Sequence, residues 1–204
     1  VDNIKNVEKL KNIKITVTDI SEGMVNDARR NIGNGMFDYG VADCMNLPFD
    51  DNSFDCVIAN HVIFYCEEPG KAFKEIKRVL KPGGKAVFST YGSHHMQEIA
   101  QLVNQFDKRI VLSADVLYEK FGLDNGERLL EKYFNKVDKR LYDDYLLVDV
   151  AEPIIEYILS CHGNQNHYLL DRYSDFKAFI MKKTRKRNAK CVFGHLRGEK
   201  YAVQ

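Results

Sequence analysis

Up to Tyr91, apolar positions along the chain switch between a period of two and a period near 3.6. Ile13-Lys14-Ile15-Thr16-Val17-Thr18 alternates and is β-branched, which predicts a strand. Ser21 stands as an N-cap before Glu22 to Asn31, a predicted helix that ends near Gly33-Asn34-Gly35. Phe37 to Val41 predicts a short strand, followed by a loop through Asn46-Leu47-Pro48. Phe54 to Asn60 is an apolar run bounded by turn residues, the pattern of a central parallel strand buried on both faces. Pro69 opens a helix whose Ala72, Phe73, Ile76, Val79 and Leu80 share one face. Lys81-Pro82-Gly83-Gly84 stops that helix, and Lys85 to Tyr91 is the next strand. Short strands alternating with helices predict an α/β fold, a doubly wound and mostly parallel sheet with right-handed crossovers.

After Tyr91 the periodicity weakens. Met96 to Phe106 predicts a helix, and Leu129 to Phe134 predicts the end of a helix opened near Asp124-Asn125-Gly126. Val137 to Tyr142 suits a strand, and Val150 to Cys161 an amphipathic helix with Pro153 in its first turn. Tyr173 to Lys186 predicts a further helix with a basic end. Cys191 to Phe193 and Lys200 to Val203 suit a terminal hairpin around Gly194 and Gly198.

The 204 residues are enough for one domain with a sizeable core. Thirty Lys and Arg against 29 Asp and Glu leave a net charge of +1, so no global field points to nucleic acid or a membrane surface. Five scattered cysteines without a CxxC pair read as reduced thiols of a cytoplasmic protein. No apolar run approaches the roughly 20 residues of a membrane helix. The polar start VDNIKNVEKLKNIK carries no signal peptide and no Met, and reads as cut at its front. Lys182 to Arg187 is the strong basic run; a solvated helix end is the expected role, and nucleic acid is not expected as a partner.

Three features carry chemistry. ITVTDISEGM places Asp19 where a strand runs into a helix, and a carboxylate at that position can accept both hydroxyls of a ribose. A solvated Asp in a strand–helix loop is the other reading. In VADCMNLPF, Asp43 can accept from an adenine amino group, or it can cap a turn. Asn60-His61 ends an apolar strand, where an open α/β sheet faces its ligand crevice. No Cys, Asp or Glu stands near His61 at metal-ligand spacing, so no metal is expected.

In order and spacing, ITVTDISEGM, FDYGVADCMNLPFDDNSFDCVIANHVIFY and EEPGKAFKEIKRVLKPGGKAVFST together resemble the class I S-adenosylmethionine-dependent methyltransferases. The nearest group is the type 11 family, which includes quinone-biosynthesis enzymes. The resemblance covers about residues 10 to 92 and implies a Rossmann-like fold with S-adenosylmethionine as cofactor. It implies that Asp19 holds the ribose and that Ile20 and Met24 pack near the adenine. Asp43 would take the adenine amino group, with Cys44 and Met45 beside the ring. Asn60 and His61 would line the crevice near the methionine end. Ordinary core packing is the other reading for Ile20 and Met24. Pro82-Gly83-Gly84 would turn the chain into the next strand.

One departure is plain. The family's apolar first strand and glycine-rich loop have no counterpart here, because Gly33-Asn34-Gly35 falls after the wrong strand. The first strand is therefore expected upstream of Val1 or lost, leaving its two neighbours with unpaired edges. The expected organisation is one methyltransferase domain over 1–204. Residues 1–92 form the cofactor half, 93–170 a helical substrate cap, and 171–204 a terminal helix and strands.

The expected activity is methyl transfer to a small-molecule acceptor. The alternatives are a non-catalytic remnant, or a methyltransferase acting on RNA or protein. Methyl transfer from a sulfonium needs alignment and exclusion of water, and a base only when the nucleophile carries a proton. His61, Tyr65, His94 and His95 are the candidate bases, and none is assigned as catalytic. A homodimer is left open.

Overall fold

The computed structural model describes residues 13–33, 35, 37–113, 116–148, 150–185 and 191–203. Most of the polar front and the end of the basic run, Lys186 and Arg187, lie outside the described residues.

Among the described residues six strands and eight α-helices follow one another. β1 (Ile15–Asp19), α1 (Glu22–Ile32), β2 (Phe37–Val41), β3 (Phe54–Asn60), α2 (Pro69–Val79) and β4 (Leu80–Tyr91) make the first half. α3 (Gln97–Phe106), α4 (Leu117–Lys120), α5 (Gly126–Leu130), β5 (Val137–Val148), α6 (Glu152–Ser160), α7 (Gln165–Leu169), α8 (Tyr173–Arg185) and β6 (Cys191–Val203) make the second. Among the described residues no helix is long and apolar enough to cross a membrane.

Local chemistry explains the first half. The Ser21 side chain accepts from the Met24 N–H and caps α1, and Arg29 and Arg30 sit in its last turn, where the dipole favours cations. Pro69 opens α2, whose Ala72, Phe73, Ile76 and Val79 are buried on one face. The chain leaves α2 at Leu80 in an extended conformation. Gly83 then adopts φ 79°, a left-handed conformation that a side chain would resist. A Cβ on Gly84 would lie 2.9 Å from the Lys81 carbonyl oxygen and 3.2 Å from that of Asp55, so this turn into the strand needs glycine.

Among the described residues the strands form two sheets. β1 pairs parallel with β2, Asp19 lying opposite Val41. The other sheet has the order β3-β4-β6-β5; β3 and β4 are parallel, while β6 runs antiparallel to β4 and to β5. The fold is α/β as expected, with a parallel first half and an antiparallel end that makes the second sheet mixed. Two expectations change here. Residues 191–203 form one continuous strand instead of a hairpin, because β6 finds partners on both sides. β5 likewise runs to Val148, past Tyr142, because β6 offers backbone groups along its length.

The expectation that β3 is buried on both faces is also corrected. Only Ala59 of β3 is buried, and Ile58 is 64% exposed. β3 has a ladder partner on one side, β4, and among the described residues nothing covers the face that Ile58 presents. Among the described residues β1, too, pairs on one side only, with β2.

Two hydrophobic clusters hold the chain together. The first joins β3, α2, β4 and the end of β6 to Phe121, Leu130 and Phe134. It is rich in rings: Phe73 packs edge-on against Phe88 at 5.7 Å and against Phe121 at 5.6 Å. The second is mainly aliphatic and helical, built from α3, Ile110, α6, Leu169 and the Phe176 and Ile180 of α8. Residues 121–134 and β5 thus join the first cluster and the sheet, while α3 and α6–α8 build the second.

Candidate functional site

Asp19 ends β1. One of its carboxylate oxygens accepts the Ser21 N–H at 2.8 Å and the other is open among the described residues. Beside it, Ile20 is 68% and Met24 57% exposed, so two large apolar side chains flank a carboxylate at a strand's carboxyl end. Buried Val25 carries the packing of α1 onto its strand, which leaves Met24 free to face outward.

The next turn is tied to this one through the backbone. The Ala42 N–H donates to the Asp19 carbonyl at 3.0 Å, so Asp43 follows one residue from the end of β1 in space. Asp43 caps its own turn: its Oδ1 accepts the Met45 N–H at 2.8 Å and its carbonyl accepts the Asn46 N–H. The turn-capping role is real, and it uses one oxygen of two. Cys44 and Met45 pack partly against the first hydrophobic cluster. The Cys44 and Cys66 sulfurs lie 3.0 Å apart, which links this turn to the segment after β3. The Cys44 thiol donating to Cys66 pulls the Cys66 pKa down, while the Cys44 thiol is held up by the same contact and by burial.

Asn60 and His61 stand at the end of β3. The His61 N–H is shared between the Ser89 carbonyl, 3.2 Å, and the Ser89 hydroxyl, 3.1 Å; that hydroxyl also donates to Asn60 Oδ1 at 3.3 Å. His61 adopts φ 49°, a left-handed conformation that costs a β-carbon-bearing residue about 1–2 kcal/mol. The strain turns the imidazole off the strand line and onto Tyr91, with ring centroids 6.3 Å apart and planes 20° apart. Burial of the ring lowers the His61 pKa, so it is neutral near pH 7. Gly92 to His95 forms a turn closed by the His95 N–H donating to the Gly92 carbonyl at 3.1 Å. His94 is exposed and pairs with Gln97 at 2.9 Å, whereas His95 folds inward against Tyr91 at 5.0 Å. Tyr65 is 68% exposed on the short 3-10 turn after β3.

Asp19, Ile20, Met24, Asp43, Cys44, Met45, Asn60 and His61 therefore form one band along the carboxyl ends of β1, β2 and β3, joined link by link through hydrogen bonds and one thiol contact. Pattern reading missed the pair that holds this band in place. Glu75 Oε2 accepts the Leu47 N–H at 2.8 Å, and Arg78 donates to the carbonyls of Leu47 and Phe49 and to Asp51. Arg78 also grips Glu75 and depresses its pKa, so the carboxylate stays charged. The signal was present in EIKRVL as an acid three residues before an arginine, a spacing that is common on solvated helix faces. In the basic run, Lys183 donates to Gln105 at 2.6 Å and lies over the Phe179 ring, so it serves α8 packing.

The donor set suits a nucleoside: two carboxylates with open oxygens on adjoining strand ends, with exposed apolar side chains next to the first. Residues 3–88 match the type 11 family described as "Methyltransferase domain". The chain is 39% identical over 80 residues to a demethylmenaquinone methyltransferase of Clavibacter sepedonicus, covering 39% of this chain and 33% of that one. It is 44% identical over 91 residues to a malonyl-[acyl-carrier protein] O-methyltransferase of Marinomonas sp. (strain MWYL1), covering 45% of this chain and 27% of that one. The matches thus span about a third or less of these curated relatives' lengths. In fold, the chain is similar to the solved structure of a SAM-dependent methyltransferase from Thermotoga maritima. The TM-score is 0.51 at 16% identity, over 91% of this chain and 70% of that one.

Proposed function

We propose, from the premise that this chain belongs to the class I S-adenosylmethionine-dependent methyltransferases of type 11, that it directs methyl transfer from S-adenosylmethionine to a small organic acceptor. The observation that carries the reading is the continuous band from Asp19 through Asp43 to Asn60 and His61. Asp19 would hold the ribose hydroxyls with its open oxygen, and Asp43 the adenine amino group with its own. Ile20 and Met24 would cover one side of the base and Cys44 and Met45 the other. Asn60 and His61 would face the methionine end. When bound, the cofactor supplies a methyl group on a sulfonium that is already a good leaving group. The chain's own residues orient it, exclude water and position the acceptor.

The cap in this reading is the second cluster, α3 with α6–α8. The relatives' acceptors, a quinone precursor and a malonyl group on a carrier protein by their names, support a small or carrier-linked acceptor for this chain too. A cytoplasmic location fits the free thiols of Cys44, Cys56, Cys66 and Cys161.

Calorimetry with S-adenosylhomocysteine tests the reading. Micromolar binding is expected. Asp19→Ala should weaken it about 10- to 150-fold, the equivalent of the ~1.5–3 kcal/mol that a hydrogen bond to a charged group contributes. Absence of binding at millimolar ligand would instead establish a non-catalytic remnant.

A further inference from the structure

Two cysteines from separate turns meet beside the candidate site. Cys44 lies in the turn after β2, and Cys66 closes the short 3-10 turn after β3, 22 residues further on. Their sulfurs are 3.0 Å apart, one thiol donating to the other, and both are free. The other described thiols stand elsewhere: Cys161 donates to the Tyr157 carbonyl at 3.3 Å, and Cys56 is exposed on β3.

The two ends of this contact are held differently. Cys66 is 5% exposed, belongs to the first hydrophobic cluster, and donates its N–H to the Ile63 carbonyl at 3.1 Å, next to buried Ile63 and Phe64. Cys44 is half-buried on a turn that closes through the Asp43 carbonyl accepting the Asn46 N–H at 3.0 Å. Asp43 Oδ1 caps that turn at the Met45 N–H, and Glu75 holds its far end at the Leu47 N–H. A pull on the Cys44 sulfur therefore deforms the turn that carries Asp43 and leaves Cys66 in place. The contact with Cys44 lowers the Cys66 pKa, against burial and nearby Asp43, so Cys66 is the more readily ionised sulfur of the two.

We propose that Cys44 and Cys66 are a modification site: hydrogen peroxide closes them into a disulfide, and closure draws Asp43 away from the nucleoside site. The effect on the nucleoside site rests on the methyltransferase reading above. The Cys66 sulfur attacks one peroxide oxygen, the oxygen–oxygen bond breaks, and the departing hydroxide leaves as water with the thiol proton, which makes Cys66 a sulfenic acid. The Cys44 sulfur then attacks the Cys66 sulfur, the sulfur–oxygen bond breaks, and a second water leaves with the Cys44 proton. Two thiols are oxidised and one peroxide is reduced to two waters. A disulfide holds its sulfurs about 2.05 Å apart, so a pair at 3.0 Å must close by roughly 1 Å. A shift of about 1 Å in a positioned group can cost about a hundredfold in what it positions. Disulfides in cytosolic proteins are mostly transient and redox-sensing, which suits a reversible pair of this kind.

The test treats the 204-residue chain, first reduced with dithiothreitol, with one equivalent of hydrogen peroxide. Chymotryptic cuts at Phe54 and Phe64 place Cys44, Cys56 and Cys66 on separate peptides. Mass spectrometry of those peptides should show Cys44 joined to Cys66 and Cys56 still open to alkylation. Calorimetry should find S-adenosylhomocysteine bound at least tenfold more weakly by the joined form, and dithiothreitol should restore the affinity. Cys66→Ser should bind S-adenosylhomocysteine within threefold of the unaltered reduced chain and keep that affinity after peroxide. The proposal is overturned if Cys44 and Cys66 both remain alkylatable, if either links to another cysteine, if the joined form falls short of the tenfold loss, or if the loss survives Cys66→Ser. If Cys66→Ser does not fold, the peptide map and the two affinities of the unaltered chain decide. Failure of the reduced chain to bind S-adenosylhomocysteine would overturn the methyltransferase reading instead, and the peptide map still tests the thiol pair.

Discussion

The two hydrophobic clusters solve different problems. The first gathers strands, a crossover helix and distant loop residues around large rings; Phe73, Phe88, Phe121 and Tyr201 are fully buried, and they come from positions spread over most of the chain. The second gathers neighbouring helices around aliphatic side chains such as Ile99, Ile154, Ile158 and Ile180. The candidate site hangs on the first. Cys44 and Met45 pack against it, Cys66 belongs to it, and Ser89, which organises Asn60 and His61, is a neighbour of Phe88 on β4. A fault in the first cluster should therefore cost both stability and cofactor binding, whereas a fault in the second should separate the two.

The strongest way to break the comparison is Phe88→Ala. Removing a fully buried ring that touches Phe73, Phe121 and Phe134 should cost about 3–5 kcal/mol in urea unfolding. It should also weaken S-adenosylhomocysteine binding at least tenfold in the remaining folded protein. Ile158→Ala should cost about 2–5 kcal/mol in the same assay, since Ile158 is fully buried, yet leave the affinity of the folded protein within threefold. Equal loss of affinity in both variants would show that the clusters act as one.

A smaller effect comes from pH. His61 and His95 have folded-state pKa values below the ordinary 6.5. The unfolded chain therefore takes up protons first as pH falls through that value, and stability supplied by the neutral imidazoles is lost below it. Each unit of depression is worth a factor of about ten in the opening equilibrium. Glu75, lowered by Arg78, and Asp107, lowered by Arg109 and Arg172, keep their contributions until pH falls below the ordinary carboxylate range. So does Glu152, lowered by a backbone hydrogen bond and by Lys177. Between pH 7.5 and 5.5, amide protection factors, which correct exchange for its intrinsic pH dependence, should fall around β3 and β4 and stay unchanged in α6 and α8. A uniform fall in protection would contradict this assignment.

Much of the first half was legible in the residues. Ser21 and Pro69 mark helix starts, and β1, β2 and β3 lie within two residues of their expected places, whereas β4 begins at Leu80, five residues ahead of Lys85, and takes in Pro82-Gly83-Gly84. These signals are local: a cap, a fixed φ or an alternating run acts within a few residues of itself. The β6 strand was read as a hairpin because two glycines interrupt its pattern, and only β4 and β5 on either side supply the backbone partners that keep it extended. Ile58 shows the converse. Its run predicts burial, but burial depends on what covers the face, and β3 is a one-sided strand among the described residues.

The site divides the same way. Residue types and spacing alone determined the α/β class, the family resemblance and the list from Asp19 to His61, because carboxylates at strand ends are marked by sequence position. Tertiary structure decided how those residues join. The Ala42–Asp19 hydrogen bond, the Cys44–Cys66 contact and the Glu75–Arg78 grip on Leu47 link segments with no common sequence pattern. It also separated His94 from His95, adjacent in sequence, by turning one outward onto Gln97 and the other inward onto Tyr91. Burial and hydrogen bonding are properties of neighbours in space, and a neighbour in space is what a linear pattern does not encode.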